Sequence, residues 1–195
     1  MKKRPETPYT FQISGNNMLT GECVGLRAIE EKDLDQLLQW RNNPRLRKYF
    51  REYRELSDAN QKLWYSDKII KDPNTLMFSI VDPKHDRLLG ACGLCYIDWK
   101  NRNADFSLYI GIDEIYIDQK YALDAGKVLL AFGFKEINLH RIYAEVFDFD
   151  APKRELLKTL HFMYEGINRD KQWCEGSWHA SEYYSLLATE YTGKK

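Results

Sequence analysis

The chain has 195 residues, 44% apolar and 30% charged, the balance of one globular domain rather than of a disordered or fibrous chain. Its 29 Lys+Arg match its 29 Asp+Glu, and this zero formal net charge disfavours a generally basic nucleic-acid binder. No apolar run approaches the ~20 residues of a membrane helix, and the basic start Met1-Lys-Lys-Arg-Pro-Glu-Thr-Pro8 has no apolar stretch behind it, so a cytoplasmic protein is expected.

Residues 1–21 are polar and aperiodic and read as a flexible arm, ahead of a domain over 22–190 and a short tail at 191–195. Val24–Ile29 reads as a first strand. Leu34, Leu37, Leu38 and Arg41 fall at helical spacing, and Asn42-Asn43-Pro44 ends that helix. A second helix starts at the cap candidate Ser57 and runs through Leu63, Trp64 and Ile70. Strands follow at 76–81, 88–97 and 104–112, separated by the turn clusters Asp82–Asp86 and Lys100–Asn103. In the third of these, Asp105, Ser107 and Tyr109 share one face, and Phe106, Leu108 and Ile110 the other. Residues 119–136 form the strongest helical pattern, apolar on both sides, with Asp118 as its N-cap. A strand at 142–147, a helix opening at Pro152 and a hairpin around Cys174-Glu-Gly-Ser177 complete the order. A strand meander followed by strand–helix alternation predicts an α/β (α+β) fold, a mixed sheet with helices on both faces.

Cys92-Gly-Leu-Cys95 invites a redox or zinc reading, but three residues apart on a strand puts the thiols on opposite faces, their Cα atoms ~10 Å apart against a ~7 Å disulfide limit. No second ligand pair accompanies them, so no metal site is expected.

Three stretches together resemble the GNAT N-acetyltransferase superfamily, in its RimJ/RimL-like branch. They are Leu26-Arg-Ala through Trp40-Arg-Asn42; Ala104–Gly111 with Tyr121–Ala125 and Leu129–Phe132; and Leu139-His-Arg-Ile142 through Leu156–Phe162 and Glu165-Gly166. The likeness covers roughly residues 22 to 190. It implies a mostly antiparallel twisted sheet and transfer of an acetyl group from acetyl-CoA to a primary amine. By resemblance the cofactor lies on the main chain of Tyr109, Ile110, Gly111 and Ile112, and at the start of the long helix, Ile117, Asp118, Gln119, Lys120, Tyr121 and Ala122, with Asp150 and Lys153 near it. The sequence departs from the family here: Ile117 replaces a leading polar residue, Lys120 a glycine, and Asp150 an asparagine. Asp118 would repel a diphosphate, while Lys120 offers it a charge. The N–H of Ile110 or Gly111 is expected to polarise the thioester carbonyl. The position of the family's tyrosine acid is Leu157.

Asp105 and Glu145 are the candidate general bases, against the plainer readings of a solvated strand carboxylate and a cross-strand ion pair. His140 reads as structural. The segment 41–54 interleaves arginines with aromatics, and Arg41, Arg45, Tyr49, Arg51, Tyr53 and Arg54 are expected to bind the acceptor, unless the segment is a solvated connection. They suggest a small anionic amine, such as a nucleotide-linked amino sugar. The alternatives are a protein N-terminal or polyamine acetyltransferase, or a non-catalytic module that binds acyl-CoA, RNA or a partner. A homodimer is a possible assembly, with the strand at 178–191 as either its edge or a core strand.

Overall fold

The computed structural model describes residues 18–193. Its centre is an eight-stranded sheet in the order β1-β2-β3-β4-β5-β6-β8-β7. β1 (Leu19–Thr20), β2 (Gly25–Ala28), β3 (Leu76–Asp82), β4 (Arg87–Asp98) and β5 (Asn103–Ile110) run antiparallel to their neighbours. β6 (Arg141–Phe147) lies parallel to β5, as a crossover helix between two strands requires. β8 (Ser177–Leu187) sits inside the sheet, and β7 (Met163–Cys174) forms its edge. Of the strand expected at 178–191, the structure makes a core strand that stops at Leu187, where a turn begins. The Glu175-Gly176 turn joining β7 to β8 has positive φ at both residues, as a two-residue hairpin loop demands.

The helices are α1 (Leu34–Asn42), α2 (Pro44–Arg47), α3 (Asp58–Trp64), α4 (Tyr121–Ala131) and α5 (Ala151–Thr159). Ser57 caps α3 through the Asn60 N–H, and Asn60 returns the bond in a capping box. α3 and α4 each end in a π-helical turn, at Tyr65–Ile70 and Phe132–Glu136, so the two periodic stretches are longer than their regular α-helices. The short helix α2 went unread: its signal is Asn43, which accepts the Arg45 N–H, followed by Pro44.

Alternation in β5 sorts the side chains into two cores. Phe106, Leu108 and Ile110 join α4 and α5 on one face, with Ala125, Leu129, Leu156 and Leu160. Tyr109 turns to the other face, against Leu34, Leu37 and Trp40 of the α1 region. Helices therefore cover both faces, as the pattern predicts. Gly111 marks the tightest point, since a Cβ there would lie 2.0 Å from the Trp40 ring. The expected arm over 1–21 ends earlier than read, because Leu19–Thr20 pairs with β2 and Met18 is buried. The rest of that arm, 1–17, and residues 194–195 of the expected tail lie outside the described residues.

Candidate active site

β5 and β6 pair at Asn103↔Arg141, Ala104↔Ile142 and Asp105↔Tyr143, and then part. Beyond Asp105, β5 keeps β4 on one side and, among the described residues, has no strand on the other. The Ile110 N–H donates to the Tyr116 carbonyl at 2.8 Å, and the Gly111 N–H to the Leu89 carbonyl at 2.9 Å. Neither is free to polarise a carbonyl, which corrects that expectation. Peptide groups alternate along a strand, so Leu108 turns its N–H and C=O the same way as Ile110, into the gap. On the facing bank the Arg141 N–H donates to the Arg102 carbonyl, which sets the phase that turns Glu145 toward the gap. The Glu145 carbonyl accepts from Lys153 Nζ at 3.1 Å.

Main-chain groups facing no strand inside a protein need a partner, and a ligand carrying amides supplies one. The gap therefore fits the amide-bearing arm of acetyl-CoA. The start of α4 fits less openly. Asp118 Oδ1 accepts the Ala122 N–H at 2.7 Å and the Lys120 N–H at 3.3 Å, so a carboxylate already sits on the amides a phosphate would use. Asp118 caps as expected, from two residues before the formal N-cap, Lys120. Lys120 Nζ turns to Tyr121, 3.3 Å from its hydroxyl. Asp124, unread in the sequence, is buried and accepts the N–H groups of Glu22, Cys23 and Val24 at 3.0, 2.7 and 3.0 Å, tying the turn before β2 to α4.

A cavity of about 420 Å³ opens beside the gap on the α1–α3 side of the sheet. Asp105, only 2% exposed, lies in it and receives a fork from Arg51: Nη1 at 2.8 Å and Nη2 at 3.2 Å. Burial opposes the charge on Arg51, but Asp105 and then Glu145 outweigh it and raise its pKa. Arg51 Nε also lies 3.5 Å from Glu145 Oε2, and Glu145 Oε1 accepts from the Tyr183 hydroxyl at 3.3 Å. Asp105 is thus no solvated strand carboxylate, and the ion pair of Glu145 runs to Arg51 rather than across the sheet.

Asp150 is buried at the start of α5. Its carboxylate caps Lys153 N–H at 3.0 Å and accepts the Tyr116 hydroxyl at 2.8 Å. Burial raises the pKa of Asp150 and pushes that of Tyr116 well up. Tyr49 stacks on Tyr116 at 4.0 Å between ring centres. The Lys153 side chain reaches back from the first turn of α5 into the gap, and burial lowers its pKa.

Of the residues assigned to the acceptor, Arg41, Tyr49 and Arg51 line the cavity. Arg45, Tyr53 and Arg54 do not, a correction: Arg45 points outward to Glu114, Tyr53 is 81% exposed, and Arg54 folds back on Glu52. Arg41 makes no ion pair among the described residues. Its guanidinium lies 5.3 Å from the Trp64 ring centre and 3.3 Å from Gln61 Oε1, and burial lowers its pKa. Of the cofactor positions, Tyr109, Asp150 and Lys153 line the cavity. Gly111 packs on Trp40, while Ile112 and Ile117 pack into the cores. Tyr116, Phe50 and the main chain of Leu108 were missed, although the β5 alternation carried the signal for Leu108. His140 is exposed away from the cavity, and Leu157 is fully buried. All four cysteines are free; Cys92 faces the α4 core while Cys95 faces the cavity, as strand geometry requires. Among the described residues no group of three metal-ligating side chains occurs, and no helix is long and apolar enough to cross a membrane.

Comparison with known proteins bears on this geometry. The acetyltransferase (GNAT) domain family matches residues 24–163. The uncharacterized N-acetyltransferase p20 of Bacillus licheniformis is 30% identical over 174 residues, covering 88% of this chain and 97% of p20. Spermidine N(1)-acetyltransferase of Escherichia coli K12 is 28% identical over 154 residues, covering 76% of this chain and 77% of its own. Among solved structures, the spermidine N-acetyltransferase of Vibrio cholerae in complex with CoA and spermine superimposes with a TM-score of 0.79 at 24% identity, over 86% of this chain and 97% of that one.

Proposed function

We propose, on the premise that this chain belongs to the acetyltransferase (GNAT) family and is an N-acetyltransferase using acetyl-CoA, that its acceptor is a small primary amine bound in the cavity beside the β5–β6 gap. The observation that carries this is the parting of β5 from β6 beside buried Asp105 and half-buried Glu145. When bound, acetyl-CoA supplies an acetyl group activated as a thioester. The groups we assign to hold it are the main chain of Leu108, since that of Tyr109 turns to β4, and the stretch that opens α4, Gln119 to Ala122.

Glu145 is the base in this reading. Both Asp105 oxygens are held by the Arg51 fork, whereas Glu145 meets Arg51 through one oxygen at 3.5 Å and a hydroxyl through the other. It takes the proton of the incoming ammonium, and Asp105 holds Arg51 in place. A polyamine is the acceptor class favoured by the relatives, through the E. coli enzyme's name. Arg41 favours a second class, an anionic amine such as a nucleotide-linked amino sugar, because it is a cation lining the cavity with no carboxylate paired to it among the described residues. The RimJ/RimL-like placement belongs to this reading and is supported by the three sequence stretches. A cytoplasmic location is supported by the free thiols. A homodimer is supported by the exposed Met163 and Ile167 of edge strand β7.

The test is acetyl-CoA turnover against spermidine, spermine, a nucleotide-linked amino sugar and an N-terminal peptide, with products identified by mass. Acetylated polyamine supports the first class and acetylated amino sugar the second. Acetylation of the peptide alone overturns the small-molecule reading.

A further inference from the structure

We propose that Lys153 is itself an acetyl acceptor, modified on Nζ by acetyl-CoA bound to the same chain. The inference rests on the reading that the acyl end of the donor enters the β5–β6 gap.

Placement comes first. Asp150 and Pro152 start α5 so that Lys153 stands in its first turn, with its N–H held by the Asp150 carboxylate. From there the side chain reaches the gap and donates to the Glu145 carbonyl at 3.1 Å, on the bank opposite Leu108. A sphere of the cavity's volume has a radius of only about 5 Å, so an acyl group that enters the cavity lies within about 10 Å of this amine, and the flexible lysine stem covers the rest. Lys68 also borders the cavity, but it is more than half exposed and paired with Asp72 at 3.2 Å. Lys153 makes no ion pair among the described residues. The charged groups acting on it are Asp105 of β5, Glu145 of β6, Asp150 at the start of α5, and Arg51 from the segment after α2.

An amine attacks only when neutral, and burial favours that form of Lys153. The Nζ lone pair forms the N–C bond to the acetyl carbon as the C–S bond breaks. The sulfur keeps that electron pair and receives the proton that nitrogen loses, giving the free thiol of CoA and an Nε-acetyl-lysine. The product, an uncharged amide beside Arg51, can no longer take up a proton.

The experiment incubates the full chain with acetyl-CoA and no acceptor, then follows intact mass and maps peptides. Calorimetry with acetyl-CoA runs in parallel. One acetyl group per chain on the Lys153 peptide, at a rate that saturates with acetyl-CoA and is lost in Lys153→Arg, supports the proposal. Measured binding with Lys153 unmodified overturns it and leaves the function above standing. No binding overturns both. Acetylation scattered over surface lysines, rising linearly with concentration and unchanged in Lys153→Arg, also overturns it. The wild-type peptide map decides the matter if the variant fails to fold.

Discussion

Asp118 holds two roles at the start of α4 that two substitutions separate. Its Oδ1 accepts the N–H groups of Ala122 and Lys120, so it satisfies helix-end donors. It also places a negative charge where the donor's diphosphate would dock. At a spacing of ~6 Å and an effective dielectric between ~20 and ~80, one charge pair is worth about 0.7–3 kcal/mol. Salt screening at a half-buried site brings this to about 0.5–2 kcal/mol, a factor of roughly 2–30 in Kd. Asp118→Asn removes the charge and keeps an acceptor of equal capping strength. It is expected to tighten acetyl-CoA binding by roughly that factor with Tm unchanged. Asp118→Ala removes both roles. Losing the cap costs about 0.5–2 kcal/mol, which for a chain of this size is a fall of roughly 1–8 °C in Tm, while affinity still rises. Isothermal calorimetry and thermal unfolding of the three proteins provide the assay. If neither variant binds more tightly than the parent, the diphosphate does not dock on these amides and the reasoning about α4 fails.

Three further substitutions test the frame around the cavity. Arg51→Gln strands a nearly buried Asp105, and because Arg51 is itself 43% exposed the penalty is discounted to about 1–3 kcal/mol. A double-mutant cycle with Asp105→Asn in urea should return a coupling of about 1–2 kcal/mol, and a coupling near zero refutes the buried pair. Gly111→Ala places a methyl group 2.0 Å from the Trp40 ring and should destabilise by about 1–3 kcal/mol through overpacking; unchanged urea midpoints would show that the α1 face yields freely. Asp33 sits under β2 and takes a fork from Arg27 at 2.7 and 2.9 Å, with the Ser79 hydroxyl at 2.8 Å. Burial opposes its charge, yet the Arg27, Glu30 and Ser79 bonds outweigh burial and hold its carboxyl below the usual range. Because the folded pKa is the lower one, this stabilisation is complete above an unfolded pKa of about 3.9 and disappears as pH falls through the folded value. The urea midpoint should therefore drop between pH 5 and pH 2–3 by less in Asp33→Asn than in the parent; equal drops would refute the assignment.

Where the pattern lay within one element, the sequence was legible. The period-two alternation of β5 placed Asp105 and Tyr109 on the cavity face and Phe106 and Leu108 in the core, and Ser57 marked the start of α3. What it could not carry were partners distant in the chain. Arg51 and Asp105 are 54 residues apart, and Asp124 meets the turn before β2 at about a hundred residues' separation. Composition gave the segment 41–54 as a block of arginines and aromatics. Local geometry divided it, because α2 aims Arg45 outward, and Glu52 sits two residues from Arg54 and captures it before it can reach the cavity. The free N–H on β5 was misplaced for a similar reason. Tyr116, six residues beyond Ile110, returns to fill the Ile110 N–H and shifts the open group to Leu108.

The charges of the cavity also bear on what it selects. Arg41, Arg51 and Lys68 face Glu52, Asp105 and Glu145, three cations against three carboxylates, while burial pushes Lys153 and Asp150 both toward their neutral forms. A balanced lining exerts little long-range pull, so a polycation gains no steering from it. To bind, a polyamine must offer an ammonium in place of the Arg51 guanidinium at Glu145, leaving Arg51 held by Asp105 alone. The reacting ammonium of an anionic amine makes the same exchange at Glu145, but its acid group meets Arg41, which pairs with no carboxylate among the described residues. In this reading Arg51 competes with the reacting ammonium of either acceptor, and Arg41 distinguishes the two by the acceptor's second charge. Arg51→Gln should accordingly lower KM for either amine, because Glu145 then lacks its standing cation. An unchanged KM for both would place the reacting ammonium away from Glu145 and would remove Glu145 as the base.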